Sequence, residues 1–283
     1  TEPISTYLFA FAAGPFEAIS SGEPGDRTRL FVRRSRTSEA GEHAAETLRL
    51  NHAVVRYLSD YFAQPFPFRK YDLVLIPQFP FSGMEHAGAT FLREDAIVFP
   101  SAPNAADHLR RAQLIFHETA HQWFGDLVTM RWFDDLWLKE GFANLMAAKA
   151  AAAILPGSSS WIAFHALKTA AYRTDATAGT TPIYQPIANL ADAKSAYGPI
   201  VYSKAPAVLR QAEFYLGEPT FKSAVRDLMQ RQRYGAARWR DLVAAFERAA
   251  GRRLDRWAAQ WVLRAGMPTI RVDWDTAAVN GRA

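Results

Sequence analysis

Apolar positions along the 283-residue chain change their period near residue 100, and that change divides the expected fold. Before it, segments 4–13, 28–33, 71–76, 89–92 and 96–99 are short and rich in β-branched and aromatic residues, which predicts strands. Gly14, Pro15, Gly22, Pro24 and Gly25 mark a turn-rich connection between the first two. From about Glu42 to Phe62, Leu50, Val54, Leu58 and Tyr61 recur at helical spacing, so one long helix is predicted there, stopped by Pro65. After residue 100 the spacing is mostly helical. Asn104 is placed to cap a helix to about Phe124, ended by Gly125, and helices follow over about 135–155 and 161–172. The Pro-, Gly- and Thr-rich stretch 176–199 reads as loops. Three or four further helices lie between Ser203 and Arg264, and 269–274 reads as a strand. The whole is an α+β pattern, a small mixed sheet followed by a mostly helical subdomain.

Composition narrows the class without choosing a function. With 49% hydrophobic and 22% charged residues, the chain is neither disordered nor fibrous. No apolar run approaches the roughly 18 residues a membrane-spanning helix needs, so no membrane partner is expected. The absence of cysteine removes disulfides, thiolate metal sites and cysteine nucleophiles, leaving nitrogen and oxygen as metal ligands. It also leaves compartment open between cytoplasm, periplasm and medium. Net charge is +5, but residues 203–271 alone hold 14 Lys and Arg against 6 Asp and Glu. The surplus therefore belongs to the C-terminal helices, where a solvated or partner-facing surface is favoured over nucleic acid. The chain opens Thr-Glu-Pro, which is expected of a processed or excised segment.

The chemistry concentrates in His117-Glu118-Thr119-Ala120-His121, inside the helix predicted to end near Phe124. Residues four apart share a helix face, so both imidazoles can reach one ion, and Glu118 beside them suits a general base. The bland alternative is a chance match on a polar helix face. A catalytic zinc usually takes three protein ligands. Glu140, within the apolar run Leu136–Gly141, is the candidate third, because an unpaired carboxylate there would be expensive. Asn144 lies four residues on, on the same face, where it can orient a ligand histidine or simply stand as a helix-surface polar group.

The run from His117 to Ala143 resembles the gluzincin core of the M1 family of zinc aminopeptidases, with 18 residues between His121 and Glu140 as in that family. Ser82-Gly83-Met84-Glu85-His86 resembles its Gly-x-Met-Glu-Asn exopeptidase motif, and Val201-Tyr202-Ser203-Lys204 its Tyr-x-Lys-Gly element. The similarity runs over roughly residues 1–270. It implies a thermolysin-like catalytic domain over 15–266, one Zn²⁺ per chain on His117, His121 and Glu140, and hydrolysis of the N-terminal peptide bond by metal-activated water. By the same resemblance Glu118 is the base, Tyr202 the oxyanion donor and Glu85 the ligand of the substrate's free α-ammonium. Gly83, Met84 and His86 would line the substrate backbone.

Residues 1–14 look like a remnant or edge strand of an upstream β-domain, and 267–283 like a tail or the start of a following one. The partners implied are peptides with a free N-terminus and those flanking domains. Three departures stand out: His86 in place of Asn, Ala205-Pro206 in place of the Gly after Lys204, and Ala147 in place of an acidic residue seven positions after Glu140. The alternatives are a thermolysin-like endopeptidase, or an inactive zinc-binding scaffold lacking its flanking domains. Trp123, Phe124, Trp132, Phe133 and Trp137 are expected in the core behind the zinc helices.

Overall fold

A computed structural model describes residues 3–22 and 25–275. The chain opens with a 3₁₀ turn, Thr6–Leu8, and then forms β1 (Phe16–Ile19), β2 (Thr28–Arg33), the long helix α1 (Thr37–Phe62) and β3 (Tyr71–Ile76). Next come β4 (Gly83–Met84), β5 (Ala89–Arg93), the single turn α2 (Glu94–Ile97) and α3 (Ala105–His121). Then follow β6 (Val128–Met130), α4 (Leu136–Ile154), α5 (Ser160–Asp175) and α6 (Leu190–Ala196). A π-helical turn over Ile200–Lys204 leads into α7 (Ala205–Leu216), α8 (Glu218–Gln232), β7 (Gly235–Ala237), α9 (Trp239–Ala250) and α10 (Asp255–Trp261).

The main sheet has the order β1-β2-β3-β5-β4. Its three inner strands are parallel and both edges run antiparallel, with β4 placing Gly83 opposite Leu92 and Met84 opposite Phe91. The central β3 is buried along most of its length, as a strand covered on both faces must be. α1 and α3 pack against the sheet, and α4 lies along α3 as the axis on which α5, α7 and the π turn gather. α4 is buried on all sides, which explains its nearly unbroken apolar run. No described helix is long and apolar enough to cross a membrane.

The sheet-then-helix division is as the pattern predicts, but several elements differ. Residues 4–13 are not a strand: apart from the 3₁₀ turn they are irregular, and Phe9 and Phe11 are exposed. A strand needs a hydrogen-bonding neighbour, and among the described residues none pairs with this segment. Residues 4–13 therefore form no edge strand, and 269–274 is likewise irregular, as far as residue 275. The tail residues 276–283 lie outside the described residues.

The outer strand β1 instead falls within the stretch read as a connection. Residues 96–99 are not a strand either; the chain closes a helical turn at Glu94–Ile97, its first two residues both acidic. α6 occupies part of the stretch expected to be loops. α3 ends at His121 rather than Phe124, and Trp132 is exposed rather than core, its indole N–H donating to the Ile187 carbonyl at 2.7 Å.

Candidate metal centre and its cleft

α3 begins where a capping box holds it. Asn104 accepts from the N–H groups of Ala106 and Asp107 at 2.8 and 3.0 Å, while Asp107 accepts from the Asn104 N–H at 2.9 Å. Its far end is pinned to the sheet by Thr119, whose hydroxyl meets the Tyr71 hydroxyl at 3.0 Å and donates to the Ile115 carbonyl at 2.7 Å. With Thr119 committed to the sheet side, His117, Glu118 and His121 turn to a cleft of about 1590 Å³ between the sheet and the helices.

Past His121 the chain folds back on itself. Gly125, at φ +139°, allows that reversal, and a Cβ there would stand 3.2 Å from the His121 carbonyl and 3.3 Å from its Nδ1. The reversal brings the Phe124 carbonyl to 2.9 Å from His121 Nδ1. His117 Nδ1 meets Asn144 Oδ1 at 2.8 Å. Both acceptors require the proton on Nδ1, so both rings direct a bare Nε2 lone pair into the same space, 3.0 Å apart.

Glu140 Oε2 completes the triangle at 3.4 Å from His117 Nε2 and 3.3 Å from His121 Nε2. Three acceptors converging with no donor between them call for a cation. Donors sharing one zinc at about 2.0–2.1 Å and tetrahedral angles stand about 3.4 Å apart, so these residues fit Zn²⁺. The electrostatics agree. Burial would lower the His121 pKa, yet Glu85 and Glu140 hold it above the usual histidine range. A second set of possible donors, Glu85, Glu118 and His121, lies against the first.

Glu118 is only 4% exposed, and burial away from compensating donors pushes its carboxyl up to about 8, against the pull of His117. It sits under β4, where Gly83 passes so close that a Cβ would collide with the carboxylate. The glycine of the Gly-Met-Glu motif thus makes room for the Glu118 carboxyl group. Glu85 is buried. Burial would raise its carboxyl, but Lys139 and then His121 bring it down to about 2. The Lys139 ammonium binds Glu85 Oε1 directly, Glu140 Oε1 at 3.0 Å and the Tyr7 hydroxyl at 3.0 Å, so all three of its protons are used.

Glu85 therefore stands in a salt bridge through Oε1, with Oε2 outside that bond. The 85–86 backbone is steadied by Gln122, whose amide donates to the Glu85 and His86 carbonyls at 3.4 and 3.5 Å and accepts from the Gly88 N–H at 2.8 Å. Met84 and His86 line the cleft, the His86 ring edge-on to Phe91 with centroids 4.7 Å apart.

Tyr202 lies half-buried on the π-helical turn, its ring centroid 6.4 Å from that of His117. Burial first, and then Glu140, push its phenol up, so it stays protonated as a donor. Lys204 anchors the turn through Asp175 at 2.8 Å and the Gly266 carbonyl at 3.0 Å. Ala205-Pro206, where the resemblance leads to Gly, opens α7, and a proline in the first helical turn is compatible with that start. Ala147 is buried in the cleft wall, and Asn144 supplies the acceptor to His117.

The structure brings together every site residue predicted from the sequence. Lys139, Gln122 and Tyr7 are the partners that sequence reasoning missed. Lys139 carries a signal, a lysine inside an apolar helical run. Tyr7 had none, since its role depends on a contact 132 residues away.

The family model described as the peptidase family M1 domain matches residues 46–261. Aminopeptidase N of Streptomyces lividans is 38% identical over 98% of this chain and 33% of its own length. Aminopeptidase M1-A of Oryza sativa subsp. japonica is 34% identical over 96% of this chain and 31% of its own. Leucyl aminopeptidase of Saccharolobus solfataricus is 30% identical over 96% and 34%. The chain spans about a third of the length of these curated relatives.

Proposed function

The chain belongs to peptidase family M1, and from that premise we propose that it is the catalytic part of a zinc aminopeptidase acting on peptides with a free N-terminus. The observation that carries this reading is the convergence of two bare imidazole nitrogens and a carboxylate oxygen beside a buried carboxyl group. Zinc, held by His117, His121 and Glu140, would supply Lewis acidity to the scissile carbonyl and to the attacking water.

The remaining work falls to side chains. Glu118 takes the proton of the attacking water and hands it to the leaving amine. Tyr202 donates its hydroxyl to the oxyanion, an interaction whose loss typically costs about 10²–10³ in rate. Glu85 Oε2 receives the substrate ammonium, with Lys139 and Tyr7 holding Oε1 still. Met84, His86 and the Gly83 backbone flank the substrate strand, and Asn144 orients His117. Residues 1–14 and 267–283 are the junctions to flanking domains.

The test is an amino-acid anilide panel, each compound with a free and an acetylated amine, on zinc-loaded and chelator-stripped protein. Zinc-dependent cleavage confined to free amines is expected. Glu118→Gln should keep one zinc per chain and lose at least about 10³ of kcat, because it retains shape and removes the base. Equal cleavage of both amine forms would remove Glu85 from its role. Turnover retained in Glu118→Gln would remove the base.

A further inference from the structure

Asn144 makes two short hydrogen bonds that point in different directions. Its Oδ1 lies 2.8 Å from His117 Nδ1, and its Nδ2 donates to the Tyr202 carbonyl at 2.7 Å. A backbone carbonyl can only accept, so the NH₂ must face Tyr202. The amide oxygen then faces His117, which must donate from Nδ1 and keep its Nε2 lone pair free. One side chain thus ties the protonation form of a metal ligand to the seat of the tyrosine. The seat is itself unusual: Tyr202 rides on a π-helical turn, an uncommon geometry often found at functional positions. Lys204 clamps the C-terminal end of this turn, and Asn144 holds it at Tyr202.

We propose that Asn144 is a positioning residue that couples the metal centre to the oxyanion donor, fixing the His117 tautomer and the placement of Tyr202 in one amide. The proposal rests on the aminopeptidase reading for its kinetic consequences only. Asparagine fits this role better than an aspartate at the same position would. A carboxylate has no proton to give, so it can serve the histidine but repels the carbonyl. The amide also adds no charge to a site that already holds Glu85, Glu118 and Glu140.

The experiment compares Asn144→Asp and Asn144→Ala with the unaltered chain by three measurements: zinc affinity by competition with a chromophoric chelator, amide hydrogen exchange over residues 198–206, and kcat and KM on an amino-acid anilide. Asn144→Ala loses both bonds. Zinc binding should weaken about 10–100-fold, and exchange in the π turn should speed up about fivefold or more, as expected for one lost hydrogen bond. Asn144→Asp separates the two halves. It keeps or tightens zinc, since a carboxylate accepts more strongly from the imidazole, while exchange still rises and kcat falls about 10–100-fold with KM little changed.

Unchanged zinc affinity in Asn144→Ala would overturn the ligand half. Unchanged exchange in Asn144→Asp would overturn the Tyr202 half, and equal behaviour of the two variants throughout would overturn the coupling. Zinc affinity and exchange need no substrate, so a chain that binds zinc but cleaves nothing would sink the function and leave these two tests standing. A variant that fails to melt cooperatively is replaced by Asn144→Ser, which keeps a small polar group and cannot span both partners.

Discussion

α4 carries two buried lysines ten residues apart, and each sits between two carboxylates. Lys149 binds Glu213 at 2.5 Å and Glu218 at 3.3 Å, and Arg210 pairs with the same Glu213. Two cations face two carboxylates, Lys149 and Glu213 buried between α4 and α7 and Arg210 and Glu218 at the surface. Lys139 is alone against Glu85 and Glu140, with the carboxyl groups of Glu118 and Asp126 also buried close by. Lys149 and Glu213 are buried, as Lys139, Glu85 and Glu140 are, although Arg210 and Glu218 reach the surface, and aromatic rings lie beside both ammonium groups, Tyr7 beside Lys139 and Tyr61 beside Lys149. Balance also differs. The Lys149 cluster is closed in charge, while the cleft cluster is short of positive charge at the place where three acceptors converge. A buried charge deficit, more than buried charge itself, marks the functional end of this helix.

The largest break in that comparison should come from Lys149→Ala, which leaves Glu213 with Arg210 as its remaining partner. Removing one member of a buried pair costs about 3–5 kcal/mol. Urea unfolding of the zinc-loaded chain should show that loss, with zinc affinity and kcat unchanged below the melting range. Replacing both members, Lys149→Met with Glu213→Leu, should restore most of it, because the desolvation of both charges is then avoided. A change in zinc affinity in either variant would mean the two clusters communicate along α4 and are not separate.

A smaller effect should appear in the metal-free chain as a slope of stability with pH. The Glu118 carboxyl stands at about 8 in the folded chain against an ordinary 4.5, chiefly through burial. The folded state therefore binds this proton more tightly than the unfolded one. Its contribution is full below about 4.5, declines as pH rises, and is gone once pH passes about 8. Glu85 acts in the opposite sense. Burial opposes its ionisation, but Lys139 holds it near 2, so its contribution is present at neutral pH and lost only as acid approaches that value. Unfolding measured from pH about 5 to about 8 should thus fall steadily, and Glu118→Gln should flatten the curve. An equally steep curve in the variant would assign the slope to other groups.

Much of this was legible from residue spacing. The His117–His121 pair, Glu140 and the Asn104 cap are local patterns that obey helical period, and α4 announces its burial by its composition. Gly83-Met84-Glu85 and Tyr202 became legible only through resemblance, because their place in the cleft depends on a two-residue edge strand and a π turn that no period predicts. What the pattern misreads is non-local. Residues 4–13 have strand composition and no partner strand among the described residues, whereas Phe16–Ile19 sits amid turn residues and pairs fully with β2. The partners of Lys139 escape notice because a ladder of charges across three elements cannot be seen from one of them.

The smallest expected effect lies at His86, at the rim of the deficient cluster. Its Nδ1 is buried without a hydrogen-bond partner among the described residues, and burial pushes the ring's pKa down, so it stands neutral in the cleft wall. An asparagine there offers both a donor and an acceptor to a substrate backbone and leaves no ring nitrogen stranded. His86→Asn should lower KM on a dipeptide amide by up to about fivefold, the worth of one hydrogen bond, with kcat within about twofold. The same substrate titrated against Lys149→Ala should give an unchanged KM, because that cluster does not reach the cleft. If His86→Asn raises KM instead, the imidazole is already making the contact, and the edge-on packing against Phe91 is what aims it.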